Sequence, residues 1–237
     1  MAYEGGLDYN KFTKSIMEII KQHNAGFRVV SFDLETKIMD KKDFLTGERL
    51  LGIGMARRYN GEVESKILKL KDESDEAEVE LLNEAAAFMT IAKPLVLLGY
   101  NISGYDYPLM NLKLKWYDEY HENKGNARYP KEYWSLKDAL TRAYILDIMH
   151  PLRFELANLE QTTPKYRSLD KVVNHQRFAN LPLKRLKHLA QGDTAEDKGK
   201  RIYGMWKARD PNFERYLEGD VHDTLLLAEE LYGGSTA

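Results

Sequence analysis

The dipeptide Asn60-Gly61 lies between two strand-like stretches, Leu50 to Arg57 and Glu62 to Leu70, and turns the chain back on itself as an antiparallel hairpin. Phe27 to Leu34, an apolar and β-branched run, predicts a buried strand before it. A helix is expected next: Val79, Leu82, Ala86 and Met89 recur at helical spacing, Asp75 and Glu78 resemble a capping box, and Pro94 ends the run. The short strand Pro94 to Gly99 returns after that helix, so the sheet must mix antiparallel and parallel neighbours. The class predicted is α/β, a mixed central sheet flanked by helices.

The remaining elements follow the same logic. Asp8 and the spacing of Phe12, Ile16, Ile19 and Ile20 predict an N-terminal helix, within a segment 1–26 expected to pack on the core. A helix from about Tyr105 to Tyr120 follows the second apolar strand. From His121 to Pro164 the pattern is aromatic and polar, with a strand at Tyr144 to Ile148; about 113–145 reads as an insertion in a domain spanning 27–237. Leu169 to Val173 and Leu183 to Leu189 suit short helices. Asp210-Pro211 opens a last helix reaching about Tyr232.

Composition narrows the chemistry. The chain has no cysteine, which excludes thiolate metal sites, disulfides and a cysteine nucleophile. Its six histidines show no zinc-ligand spacing, and Gly52 and Gly54 follow no phosphate-loop pattern. A net charge of −2 argues against a coat on long duplex DNA. No apolar run approaches the ~20 residues that span a bilayer, and Met1 to Tyr9 does not read as a signal segment, so no membrane partner and an intracellular location are expected.

Three motifs carry chemistry. In Ser31-Phe32-Asp33-Leu34-Glu35-Thr36, strand alternation puts Asp33 and Glu35 on one face while Phe32 and Leu34 meet the core. Two carboxylates about 4 Å apart repel by roughly 1 kcal/mol even in bulk water, so such a pair calls for a cation, a shared proton or full solvation. Asn101-Ile-Ser-Gly-Tyr105-Asp106 puts a third carboxylate beyond a second strand, where it could serve a ligand or cap a helix. Tyr216-Leu-Glu-Gly-Asp220 sets a phenol and a carboxylate one helical turn apart; Asp223 is a competing candidate. Gly219, unfavourable inside a helix by about 1 kcal/mol, suggests close approach by another group.

Taken in order, these motifs resemble the DEDD exonuclease superfamily, in its tyrosine subclass. Phe32 to Thr36 with Gly99 to Asp106 looks most like the proofreading domain of family B DNA polymerases, and the similarity runs from about Phe27 to Leu231. The histidine subclass would need His where Arg215 stands. The resemblance implies a ribonuclease H-like fold and 3′–5′ hydrolysis of single-stranded DNA with two divalent cations, Mg²⁺ or Mn²⁺. Asp33, Glu35, Asp106 and Asp220 would hold the metals. Tyr216 would orient or help deprotonate water, and Thr36, Asn101 and Tyr105 would lie along the terminal nucleotides. Hard cations of this kind favour oxygen ligands and offset an acidic cluster, which agrees with the residues present.

RNA as substrate, and a non-catalytic nucleic-acid-binding adaptor, are the alternatives. With the third motif close to the C-terminus, a stand-alone nuclease or an excised domain is expected, without polymerase palm or fingers. Lys113, Lys115, Trp116, Tyr117, Tyr120, Lys124, Arg128, Tyr129, Lys131, Tyr133 and Trp134 interleave cations with rings, which suits a single strand or an ordinary amphipathic surface. Lys184, Arg185, Lys187, Lys198, Lys200 and Arg201 form a second basic tract whose default reading is a solvated face.

Overall fold

A computed structural model describes residues 11, 14–18, 28–38, 45, 47–125, 131–190 and 194–233. Strands β1 (Val29–Ile38), β2 (Glu48–Tyr59) and β3 (Glu62–Lys69) form the antiparallel part of a five-stranded sheet. Strands β4 (Val96–Gly99) and β5 (Tyr144–Asp147) extend it in parallel from β1, giving the order β3-β2-β1-β4-β5. The described residues also form helices α1 (Asp75–Ala92), α2 (Asp106–Asn123), α3 (Lys131–Arg142), α4 (Met149–Glu160), α5 (Leu169–Val173), α6 (Ala195–Lys207) and α7 (Asn212–Gly233). A mixed five-stranded sheet flanked by helices, in this order, is the ribonuclease H-like α/β arrangement expected above.

Alternation along β1 divides the core. Val30, Phe32 and Leu34 join Ile53, Met55 and Leu97 beneath α1, α2 and α3. Val29 joins Ala56, Val96 and Leu98 on the opposite face, under α4, α5 and α7. Of the N-terminal helix expected over 8–23, only residues 11 and 14–18 lie within the described set; they are helical, and Met17 is buried.

The cap of helix α1 lies one residue before the expected one. Ser74 accepts from the Ala77 N–H at 3.2 Å and is the true cap, while Glu78 turns inward. Buried Glu78 accepts from the Leu50 N–H at 2.9 Å and pairs with Lys113 at 2.8 Å. Lys113 is therefore committed to the core. Tyr117 and Tyr133 are equally buried and stack with ring centroids 4.6 Å apart. These three residues support the fold. Arg128 and Tyr129 of the same stretch lie outside the described residues.

Gly52 and Gly54 acquire a role that their spacing did not disclose. On β2 they pair with Glu35 and Asp33 of β1, respectively. A Cβ on Gly52 would lie 2.9 Å from the Phe213 ring, and one on Gly54 2.9 Å from both Leu217 and Val221. Helix α7 thus rests directly on bare backbone. Arg58 of β2 fastens its far end to Glu229 through two hydrogen bonds of 2.9 and 2.8 Å.

Gly54→Ala forces a methyl into this contact and should destabilise the protein by about 1–3 kcal/mol, the usual penalty of overpacking. Gly204 lies on an exposed stretch of α6 with nothing near its missing Cβ. Gly204→Ala should instead stabilise by up to about 1 kcal/mol through helix propensity. Urea unfolding of both variants checks the pair; equal midpoints would remove the close-packing account.

Candidate functional site

The parallel strands all end on the same side, and ligands of open α/β sheets gather there. A cavity of about 390 Å³ opens at this point. Carboxylate oxygens of Asp33, Glu35 and Asp220 lie within 4.8 Å of one another on its floor. Residues separated by almost two hundred positions meet because β1 and α7 are neighbours across the glycine pair.

Asp106 lines the same cavity beside this trio. Strand β4 pairs with β1 only as far as Ser31, so the Leu34 N–H has no strand partner on that side. Asp106, at the start of α2, accepts that hydrogen bond at 3.0 Å. Its loop is held in turn by buried Asp147 at the end of β5. The Asp147 carboxylate accepts from the N–H groups of Asn101 at 3.0 Å, Ser103 at 3.1 Å and Met149 at 3.0 Å. The sequence reading missed Asp147, the carboxylate that ends β5.

Asn101 and Tyr105 stand on the cavity wall. Thr36 is joined to the site through Tyr105: its hydroxyl lies 2.6 Å from the Tyr105 hydroxyl and donates to buried Glu48 at 2.7 Å. Tyr105 also donates to Glu48. Glu48 is a second residue the sequence reading passed over.

The largest omission is Lys187, which belonged to the second basic tract. Its ammonium donates to the Tyr216 hydroxyl at 2.7 Å and to Asp220. Lys198 lines the cavity as well, 5.5 Å from the Tyr216 ring centre. Others of that tract serve elsewhere: Lys184 pairs with Glu218 at 2.6 Å and Lys200 with Glu196 at 3.0 Å. Asp223 accepts from the N–H groups of Lys184 at 2.7 Å and Arg185 at 2.8 Å, which fixes the turn bearing Lys187. The turn approaches α7 at Gly219, where a Cβ would meet that of Leu186 at 3.0 Å. Gly219 was the available clue to Lys187.

Crowding perturbs every acid in the cluster. Burial, then Asp106, Asp220 and Glu35, hold the Asp33 carboxyl well above its ordinary value, with Lys187 opposing. Burial lifts Glu35 to about 7 against Lys198 and Lys187. It lifts Asp106 to about 8, although the Leu34 amide pulls the other way, and Glu35 and Asp147 add to the rise. Asp220 is raised by burial and restrained by Lys187 and Lys198. Burial and the neighbouring carboxylates also push the Tyr216 phenol well up. Burial alone would lower Lys187, but Asp220, Asp33 and Glu35 hold it above the usual lysine value. Oxygen donors this close, each resisting ionisation, are a donor set suited to hard divalent cations.

The fold and this site define an α/β domain of ribonuclease H-like architecture with an acidic centre at the ends of its parallel strands. The chain is similar in structure to the family B DNA polymerase from the hyperthermophilic archaeon Pyrobaculum calidifontis, with a TM-score of 0.52 and 21% identity over 86% of this chain. It spans 24% of that polymerase's length. Neither the models of known families nor the curated proteins yield a match. Among the described residues no helix is long and apolar enough to cross a membrane.

The acid cluster makes stability depend on pH. Glu35 and Asp106 ionise near their ordinary values of 4.5 and 3.8 when unfolded but near 7 and 8 when folded. Between those limits these two groups hold more protons in the folded chain, so their contribution to stability is greatest in acid and is lost as pH rises through 7 to 8. With chelator present, Tm should therefore fall from pH 5 to pH 8, and Asp106→Asn should flatten that slope. A Tm that rises over the interval would contradict the electrostatic account.

Proposed function

We propose that this chain is a metal-dependent 3′–5′ exonuclease of the tyrosine-type DEDD group, releasing nucleoside 5′-monophosphates from single-stranded DNA. The observation that carries this reading is the convergence of Asp33, Glu35 and Asp220 within 4.8 Å, with Asp106 beside them on the same cavity. When bound by these four carboxylates, two Mg²⁺ or Mn²⁺ ions supply an activated water at neutral pH and stabilise charge on the leaving 3′-oxygen. The similarity to a family B DNA polymerase is of fold, and it supports a nucleic-acid substrate.

The chain's own residues then have separable tasks. Tyr216 remains a neutral phenol, because burial and Asp220 resist its ionisation. It therefore suits orienting a water by hydrogen bonding more than removing the water's proton. Lys187 and Lys198 bring positive charge to a cavity whose floor is anionic, which suits a phosphate group. Asn101 and Tyr105 offer a polar edge and a ring to the terminal nucleotide. Thr36 and Glu48 fix the Tyr105 hydroxyl, and Asp147 fixes the backbone on which Asn101 sits.

A 5′-labelled single-stranded oligonucleotide with Mg²⁺ or Mn²⁺ should shorten as a descending ladder. Chelator or Asp33→Ala should abolish it. RNA of the same sequence, run beside the DNA, reads the sugar preference. No shortening of any 3′ end with either metal would sink the proposal.

Tyr216→Phe should retain Mn²⁺ binding by calorimetry yet turn over about 10²-fold more slowly, the scale of a lost proton-handling or water-orienting group. An unchanged rate would remove Tyr216 from the chemistry.

A further inference from the structure

Strand β3 closes the sheet on its antiparallel side and pairs with β2 alone. Just beyond it, the Leu70 N–H donates to the Leu51 carbonyl at 2.9 Å. Backbone groups of an antiparallel strand alternate between its two sides, so those of Val63, Ser65 and Ile67 face outward, away from β2. Among the described residues none hydrogen-bonds to them. An open edge of this kind is a template for a further strand unless charge or proline blocks it. Glu64 and Lys66 are both exposed and share one face of β3. Glu64 has Arg57 at 2.6 Å, whereas Lys66 has no carboxylate partner among the described residues.

We propose that β3 is an interface between two copies of this chain, joined edge to edge in antiparallel fashion about a two-fold axis through Ser65. That register sets Glu64 opposite Lys66 of the second copy, twice by symmetry, and Val63 opposite its Ile67. The outward backbone groups of Val63, Ser65 and Ile67 then meet their counterparts as hydrogen-bonded pairs, and Glu64 meets Lys66 at the closer, non-hydrogen-bonded spacing. Val63 and Ile67 are half-buried against the core, and an opposing apolar side chain covers more of each. Moving the axis to Glu64 or to Lys66 sets like charges directly opposite, which is destabilising. The charges therefore select one register and do not forbid pairing. The acidic cavity lies across β2, at the ends of β1 and β4, and takes no part in this contact.

Sedimentation velocity of the full chain, from micromolar to near-millimolar concentration, tests the interface. The unmodified protein should pass from one chain to two as concentration rises. Ser65→Pro should hold it monomeric, because it removes an outward-facing N–H and proline is tolerated on edge strands. Lys66→Glu and Glu64→Lys should each weaken self-association by about 10-fold or more, since every cross-strand pair changes twice in a symmetric dimer. Mixed in equal amounts, these two variants should pair again, because each Glu then meets a Lys. An unmodified protein that stays monomeric throughout, or a dimer that survives Ser65→Pro, would overturn the interface. If circular dichroism shows that Ser65→Pro does not fold, the mixture decides, and failure of the two charge variants to pair would overturn it equally. None of these readouts depends on cleavage, so the interface and the nuclease reading fail separately.

Discussion

The contact between helix α7 and the bare backbone at Gly52 and Gly54 is the interaction on which the site depends. Cross-strand partners share a face of the sheet, so the residues paired with these glycines, Glu35 and Asp33, point toward the same helix. With side chains at 52 and 54 the helix would stand off, and Tyr216 and Asp220 would rise with it. Leu217 and Val221 fill the space instead, close to one turn apart on the face that meets β2. Apolar packing thus holds together a set of acids that repel one another. The Arg58–Glu229 pair anchors the end of the helix away from the cluster, where charge can stabilise without adding to the acidity.

A second constraint comes from strands of unequal length. Strand β1 runs on past the end of β4, which leaves a backbone donor at Leu34 that burial would make costly if unpaired. Asp106 satisfies it and is thereby fixed beside the cluster. Asp147 takes three amides of the loop and its surroundings, which makes it a positioning group. Two buried acids so divide the work: Asp147, ending β5, organises the loop, and Asp106, at the start of α2, lines the cavity.

Much of this was legible in the sequence. The hairpin at Asn60-Gly61, the helix from Asp75 to Ala92 and the alternation that sets Asp33 and Glu35 on one face of β1 follow from local pattern, because turn preference and period are local properties. The helices at 131–142, 149–160 and 195–207 were not read, although Tyr133, Leu136 and Leu140 recur at helical spacing on the first of them and are buried. Lys187, by contrast, was illegible. Nothing in Leu-Lys-Arg-Leu-Lys separates a solvated lysine from an inward one; the difference arises from Asp223 gripping the preceding amides and from Gly219 making room. Lys113 shows the converse, a lysine in an apparently basic surface stretch that is spent on buried Glu78.

The charges within the cavity bear on how a net-negative chain could receive an anionic strand. Five carboxylates, Asp33, Glu35, Asp106, Asp170 and Asp220, line it against two ammonium groups, Lys187 and Lys198. That leaves the cavity short of positive charge, while burial first, and for Asp33 and Asp106 the neighbouring carboxylates after it, hold the acids of the cluster above their ordinary values. Further lysines would cancel the deficit permanently but would also occupy the oxygens, as Lys187 already does at Asp220. Divalent ions would cancel it with coordination positions to spare, because Mg²⁺-type cations keep open sites for water or phosphate oxygen. On the proposed reading the acidity is therefore no obstacle to an anionic substrate: it would concentrate the cations through which that substrate is held, while Lys187 joins Asp220 to Tyr216.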